Sequence, residues 1–402
     1  MKARVLVAGA LALAYTDAHA QDAPDVDLTL IAGGWTHDMI LPQADNVVVG
    51  AMTLKAHWSP TADLSFDGEA FGIASSSTVG QRGRINLRKA YMALDAGRTT
   101  VRVGRQVENW GRADRINPTD NLSPRDYTIL TSEDADQRLG LAMVRADFAI
   151  SEALTVSGNW IPEFRATKLL TPVPQTIGRD RRKWDARQFA MKLDHSGGGL
   201  DWSLSYFRGR DPVLDLALSP SGLVQRYNRV QVYGGDVAAA AGPYGLRFEA
   251  AYTKTRFSPV RDPLVRRPEL WAVMGVDRTI GGVYSNVQVS ARRVFSYTSL
   301  TPVSLSAVRQ RIDALRYQQD ETQFGMTLNL RKSWDDGRWN AEFSGLRYFE
   351  RQQGLLRIGL RHQISPNLTM HLKAQKFYGT KGSYFDTIRP VSSVGLEVRF
   401  VL

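Results

Sequence analysis

Apolar and polar residues alternate along most of the chain, in segments of about ten residues bounded by turn residues. Clear examples are 324–330 (FGMTLNL), 356–360 (LRIGL) and 394–402 (VGLEVRFVL). Such alternation places apolar side chains on one face of a β-strand and polar side chains on the other. The pattern predicts about eighteen strands, near 26–35, 47–58, 62–75, 83–95, 99–107, 138–150, 153–162, 187–196, 200–209, 226–241, 245–256, 269–278, 281–296, 314–332, 338–349, 354–363, 367–377 and 391–402.

The connections between these strands alternate between short and long. Short turns fall near residues 60, 97, 151, 197, 242, 281, 335 and 365, and longer connections surround residues 40, 79, 120, 175, 217, 262, 305 and 385. One connection on the long-loop side, near residues 352–353, is short. Short periplasmic turns and long extracellular loops are typical of bacterial outer-membrane barrels. The sequence therefore predicts an all-β fold, a single transmembrane antiparallel β-barrel with both termini on the periplasmic side. A soluble β protein is the alternative, since its strands alternate in the same way.

The first twenty residues have the composition of a secretory signal peptide. Lys2 and Arg4 precede an apolar stretch, 5–14, and Ala18-His19-Ala20 fits a cleavage site. We expect residues 1–20 to be removed and residues 21–402 to form the barrel in the outer membrane of a bacterium. Its expected partners are the barrel-assembly machinery, outer-membrane lipid and lipopolysaccharide.

Composition narrows the chemistry. The chain has no Cys, which excludes a disulfide scaffold, an iron–sulfur protein and a thiol enzyme. It carries 51 Lys and Arg against 40 Asp and Glu, a formal net charge of +11. Nucleic acid is not an expected partner, because the signal peptide directs the chain away from the nucleoid.

The positive charge recurs on the polar face of the predicted strands. An Arg or Lys that faces lipid at the midplane costs roughly 2–4 kcal/mol, so these side chains should point into the lumen. They are Lys55, Arg84, Arg88, Arg102, Arg247, Arg292, Arg331, Arg357, Arg361, Lys373 and Arg399. Glu249, Glu342 and Glu397 oppose them. An excess of Arg would attract anions. The alternative is that Arg–Glu pairs only brace the wall.

The long third loop, within 103–138, does not alternate and carries both apolar and charged residues. Long loops of this kind are commonly functional. We expect it to fold into the lumen and to form a constriction, with an extracellular cap as the alternative. Its candidate substrate-binding residues are Arg105, Arg112, Arg115, Asp120 and Arg125.

The run VGRQVENWG, followed by NPTD, PRD and QRLG, resembles the strand–loop–strand region of alginate-export-type outer-membrane barrels. The matching residues are Gly104, Arg105, Gln106, Trp110, Gly111 and Gly140. The resemblance implies an eighteen-stranded barrel whose Arg- and Lys-rich lumen passes an anionic polysaccharide. Residues 117–120 depart from the family pattern, so no particular sugar is implied.

Other chemistry has weaker support in the sequence. No close His pair or HExxH motif is present, so we expect no metal, cofactor or catalytic residue. His57 and His371 are the candidates for an outer-membrane enzyme. The acidic cluster 133–136 could hold calcium, but solvation or pairing with Arg138 is the simpler interpretation. The basic cluster 179–183 could bind an anionic polymer or lipopolysaccharide.

These patterns together predict an outer-membrane channel that passes an anionic substrate without catalysis. Export of an anionic polysaccharide, supplied by periplasmic partners, is the first hypothesis. The alternative is an uptake porin for small organic anions. An outer-membrane enzyme and a plugged structural barrel remain as further alternatives.

Overall fold

A computed structural model describes residues 23–37, 46–76, 83–170, 178–179, 186–220, 222–258, 264–297 and 306–402. The predicted signal peptide, 1–20, and residues 180–183 of the basic cluster lie outside the described residues. Among the helices of the described part, none is long and apolar enough to cross a membrane.

Strands dominate the described residues. In chain order they are β1 (Asp25–His37), β2 (Asn46–Thr61), β3 (Leu64–Ser75), β4 (Gly83–Ala96), β5 (Thr99–Gln106), β6 (Leu141–Ala149), β7 (Leu154–Ile161), β8 (Gly178–Arg179), β9 (Gln188–His195), β10 (Leu200–Arg210), β11 (Asp215–Ser219), β12 (Gly222–Arg226), β13 (Arg229–Ala241), β14 (Tyr244–Lys254), β15 (Glu269–Ile280), β16 (Val283–Val294), β17 (Thr322–Trp334), β18 (Trp339–Tyr348), β19 (Gln353–Ser365), β20 (Leu368–Tyr378) and β21 (Ser393–Val401). The helices are α1 (Ser306–Arg316) and α2 (Tyr384–Thr387), with 3₁₀ turns at Asp134–Gln137 and Arg389–Val391.

Eighteen of these strands form one antiparallel sheet that closes on itself. Each pairs with its sequence neighbours in the barrel, and β1 bonds with both β2 and β21. The remaining three, β8, β11 and β12, make a small separate sheet in the long loops. Closure removes the sheet edges and leaves no row of unpaired backbone groups facing lipid. The predicted fold class is confirmed.

One predicted strand begins in the wrong place. The expected strand 314–332 starts only at Thr322, and α1 occupies residues 306–316 before it. Val308, Ile312 and Leu315 recur there at helical spacing and pack on the loop core. Because this short helical stretch adjoins the alternating segment, the sequence pattern places the start of the strand too early. The small loop sheet and α2 were also not predicted.

The two faces of the barrel differ in polarity. Apolar side chains such as Ile85, Met274 and Ile358 point outward and are 82%, 61% and 59% exposed. Inward positions carry buried polar residues such as Asn86 and Gln288. An outer belt of apolar residues is what contact with lipid requires.

Two glycines of the third-loop region allow close backbone contacts. Gly104 has φ of +132°, and a Cβ there would overlap the carbonyl oxygen of Ala90. A Cβ on Gly140 would overlap the carbonyl oxygen of Arg88. These contacts bring the start and the end of the third loop against β4, so the loop leaves and re-enters the wall at one place.

We expect Gly104→Ala to destabilise the barrel by about 1–3 kcal/mol, the usual cost of a disfavoured backbone conformation. Thermal unfolding of the refolded protein in detergent measures the effect as a lower Tm. Gly158→Ala is the matched control, because no atom lies within 4 Å of its added Cβ. Equal Tm values for the two variants would contradict the interpretation.

Candidate functional site

The third loop, 107–140, crosses the interior of the barrel and is held there by a buried carboxylate of β14. Glu249 is 0% exposed. Its Oε2 accepts hydrogen bonds from the backbone N–H groups of Arg112 (3.1 Å) and Ala113 (3.0 Å). Its Oε1 accepts from the N–H (2.7 Å) and the hydroxyl (2.9 Å) of Thr119. Both carboxylate oxygens of Glu249 are thus occupied by the loop.

A second buried carboxylate holds the loop on β21, seven strands further around the wall. Glu397 is 1% exposed and accepts hydrogen bonds from the N–H (2.8 Å) and the hydroxyl (2.5 Å) of Ser132. Arg399 Nε also donates a hydrogen bond to Glu397 Oε1 at 2.6 Å. The loop therefore spans the lumen between two fixed points.

Ion pairs attach the middle of the loop to further strands. Arg112 pairs with Asp236 and, at 2.7 Å, with Asp194. The inward-facing side chain of Arg247 donates a hydrogen bond to the Asp114 carboxylate of the loop at 2.8 Å. Pairs of this kind fix the loop by geometry, because each guanidinium has a preferred orientation toward its carboxylate.

Arg115 adopts a left-handed backbone conformation, with φ of +62°. It pairs with Glu342 of β18 and approaches Asp134 at 3.4 Å. A non-glycine residue in this region is strained, and surrounding contacts must hold it there. The two ion pairs are the contacts that hold Arg115.

Asp134 lies where three cations meet. Arg357 contacts it at 2.8 Å, and Lys373 and Arg115 lie at 3.4 Å. Burial disfavours the charged form of this loop carboxylate, but the cations, Arg357 above all, outweigh burial and hold its pKa below the usual range. Lys373 also donates to the carbonyl of Ser132 at 2.9 Å. Asp134 thus fills an anion site with a carboxylate of the protein itself.

Arg84 and Arg88 lie behind the loop and do not border open space. Arg84 donates to the Thr128 hydroxyl at 2.9 Å. Arg88 is 7% exposed and pairs with Glu69 at 2.8 Å. Both side chains brace the loop against β4.

Two candidate residues act within the loop itself. Asp120 accepts from Arg138 at 2.7 Å and lies 3.5 Å from Arg125. The sequence favours solvation of the acidic cluster 133–136 or its pairing with Arg138, but Arg138 pairs with Asp120 instead. The acids of that cluster pair with wall cations, Asp136 with Arg399 at 2.8 Å. Within the described ranges, no group of three or more His, Asp and Glu could hold a metal ion.

Three further candidate substrate-binding residues lie away from the carboxylates that anchor the third loop. Arg102 pairs with Asp147 at 3.1 Å on the wall. Alternation puts Arg105 on the side of exposed Val103, and it bonds the Gly140 carbonyl at 2.6 Å. Arg292 is 4% exposed, stacks 4.0 Å over Trp271, and donates to the carbonyls of the last residue of α1 and of Tyr317 after it. These three side chains have protein partners and lie away from the third-loop anchors.

A cavity of about 820 Å³ separates the loop from the wall formed by β16 to β20. Lys332 of β17 borders the cavity but points outward by alternation. Apart from it, five cations and three anions of the wall and the loop line the cavity: Arg115, Arg331, Arg357, Arg361, Lys373, Glu133, Asp134 and Glu342. The balance is five minus three, or +2. Arg331 stacks 4.6 Å over Tyr284. Arg361 is exposed and has no ion pair or hydrogen bond with any residue that the structure describes.

Sequence reasoning did not select the anchoring carboxylates. Glu249 and Glu397 were noted only as charges opposing Arg, and Asp134 as part of an acidic cluster. The available signal was their inward position in alternating strands, where an unpaired buried carboxylate would be costly. Their partners could not be identified from the sequence, because Thr119 is 130 residues from Glu249.

The two histidines considered for catalysis lie in different settings. His57 Nδ1 is 3.1 Å from Asp67, and its Nε2 is 3.0 Å from the Ser59 hydroxyl. This connectivity resembles a nucleophile–base–acid arrangement, but acyl transfer also requires oxyanion donors and a substrate seat beside the nucleophile. His371 lies 3.8 Å from Glu133 at the edge of the cavity.

Comparison by sequence places the chain in a family. Residues 60–387 match the model described as "Protein of unknown function (DUF1302)". The chain belongs to the DUF1302 family. Among curated proteins, none matches its sequence.

Solved structures resemble this DUF1302 member over nearly its whole length. Pseudomonas aeruginosa OccD3 (OpdP) has a TM-score of 0.59 at 11% identity and covers 94% of this chain and 91% of its own. Acinetobacter baumannii OccAB1 has a TM-score of 0.60 at 9% identity, with 94% and 96% covered. Pseudomonas aeruginosa OccK8 (OprE) has a TM-score of 0.61 at 10% identity, with 94% and 98% covered.

Similarity at this identity concerns the fold, which is a closed eighteen-stranded antiparallel β-barrel. The closed barrel and its apolar outer belt place the protein in the bacterial outer membrane. The comparisons show this barrel fold and do not single out the alginate exporters that the third-loop motif resembles.

Proposed function

We propose that the protein is an outer-membrane uptake porin for small organic anions, selected between the third loop and the wall of β17 to β20. The observation that carries this proposal is the cavity beside Asp134, whose lining has more cations than anions. Arg331 and Arg361 face the open space, so a passing carboxylate can approach them. Several such contacts in a wet lumen attract an anion without trapping it.

The loop also bears on the size of the substrate. It is attached to β14, β18 and β21, and the passage beside it has the volume of a small-molecule site, about 820 Å³. A small anion suits this space better than a polysaccharide chain. The porin structures that share the fold give the same preference for uptake over the export hypothesis.

Recording of the refolded barrel, residues 21–402, in a planar bilayer under a KCl gradient tests the proposal. We expect a reversal potential that shows preference for chloride over potassium. Millimolar mono- and dicarboxylates should reduce the chloride current by competing for the same cations. Liposome swelling should be faster with small organic anions than with neutral sugars of similar size. Equal permeability to K⁺ and Cl⁻ would overturn the anion site, and passage of an anionic polymer would restore the export hypothesis.

The pairing of Asp134 predicts how conductance depends on pH. Because its pKa is depressed, pairing stabilises the closed loop above the ordinary carboxyl pKa of about 3.9 and weakens only as the pH falls below it. We expect constant conductance from about pH 8 to pH 5 and loop opening only in stronger acid. Asp134→Asn removes this pairing at every pH. Its loop should therefore be open more often than that of the wild type at neutral pH. A conductance transition near pH 6 in the wild type would contradict the assignment.

A further inference from the structure

The outer wall of the barrel carries unpaired cations near its extracellular rim. Alternation places Arg347 of β18 and Lys376 of β20 on the outward face, at the strand ends opposite the short-turn rim. Both side chains are exposed. Neither forms an ion pair with another residue in the described part of the chain, although Arg347 lies 6.0 Å from the ring of Phe349.

The strand register brings these two cations to one patch. Arg347 is opposite Gly354, and Lys376 is opposite Leu356, both on the intervening strand β19. Arg347 and Lys376 therefore flank β19 and differ in height by two residues, roughly 7 Å along the strand direction. A single headgroup with two anionic ends could contact both.

A groove of about 1100 Å³ runs along the same wall. Lys376 and Arg389 line its upper part, and Arg389 is 64% exposed with Asp386 at 3.5 Å. Outward Ile358 and Val394 line the groove below, and they are 59% and 50% exposed. The groove is thus cationic toward the extracellular rim and apolar toward the membrane centre.

From this arrangement we infer that the groove binds lipopolysaccharide of the outer leaflet. The phosphates of lipid A contact Arg347, Lys376 and Arg389, and its acyl chains lie along Ile358 and Val394. A cation beside hydrocarbon is unfavourable, and a phosphate at the same depth offsets that cost by a charge-assisted hydrogen bond. The order of charged and apolar residues matches the order of headgroup and acyl chains in that leaflet.

The opposite rim offers a matched control. Arg278 and Lys332 also point outward by alternation, but they lie at the short-turn ends of β15 and β17, at the level of the inner leaflet. Removing these two charges changes the net charge by the same amount as removing Arg347 and Lys376. It leaves the groove intact.

The test is a titration of the delipidated full-length barrel in detergent, read by native mass spectrometry. The probes are bisphosphorylated lipid A, lipid A without phosphates, and phosphatidylglycerol. We expect the wild type to bind bisphosphorylated lipid A at least about tenfold more tightly than the other two, a difference of about 1.4 kcal/mol. Arg347→Gln with Lys376→Gln should lose that preference, whereas Arg278→Gln with Lys332→Gln should keep it.

Folding and conduction separate loss of the site from loss of the barrel. The Arg347→Gln, Lys376→Gln protein should retain its wild-type Tm and single-channel conductance, and Lys376→Arg should retain lipid A binding. Equal binding of lipid A with and without phosphates would overturn the proposal. Unchanged binding by the double variant would also overturn it, as would equally tight binding of phosphatidylglycerol.

Discussion

Glu249→Ala should raise the single-channel conductance of the barrel several-fold. The carboxylate accepts four hydrogen bonds from the third loop, three of them from backbone N–H groups. A hydrogen bond to a charged group contributes about 1.5–3 kcal/mol, so its loss shifts the loop population strongly. Released from β14, the loop should leave the lumen for much of the time, and the current should fluctuate between open and partly closed levels.

Glu152→Ala is a suitable control for this experiment, because Glu152 is exposed in the short turn before β7. It removes the same side chain without touching the loop. Thermal unfolding should show that both variants fold. If Glu249→Ala folds and conducts as the wild type does, the loop is not the element that limits current, and the proposed constriction is wrong.

The barrel could be predicted from sequence because its determinants are local. Alternation over ten residues predicts which side of a strand faces lipid. Turn residues such as Gly97 and Gly242 mark the short connections. Both signals require only neighbouring residues. The same reasoning failed at 314–321, where the end of a helix in a long loop directly precedes an alternating strand.

The arrangement of the lumen could be predicted only in part. The alternation of apolar and polar residues predicts that the side chains of Arg88, Arg357 and Arg361 all point into the lumen. It could not distinguish a cation paired with Glu69 from one that faces open space. That difference depends on where the third loop crosses, and the crossing is set by contacts such as Ser132 with Glu397, 265 residues apart.

Arg331→Glu combined with Arg361→Glu should reverse the ion preference of the channel. The inward-facing charges that line the cavity now sum to +2, and two reversals change that sum by −4, to −2. Fields from charges on a narrow aqueous wall determine which small ions enter. We therefore expect the reversal potential under a KCl gradient to change sign and uptake of organic anions to fall sharply.

These two positions suit charge reversal because the fold depends little on them. Arg361 has no partner in the described residues, and Arg331 would lose a stacking contact with Tyr284 worth about 0.5–1 kcal/mol. Reversal at Arg88 would instead leave Glu69 and Asp136 facing a third carboxylate. Arg208→Glu with Lys254→Glu makes the same change in net charge on the outer wall, where alternation directs both side chains away from the lumen. An unaltered reversal potential in the Arg331, Arg361 variant, or an equal shift in this control, would mean that ions do not pass along the wall of β17 to β19.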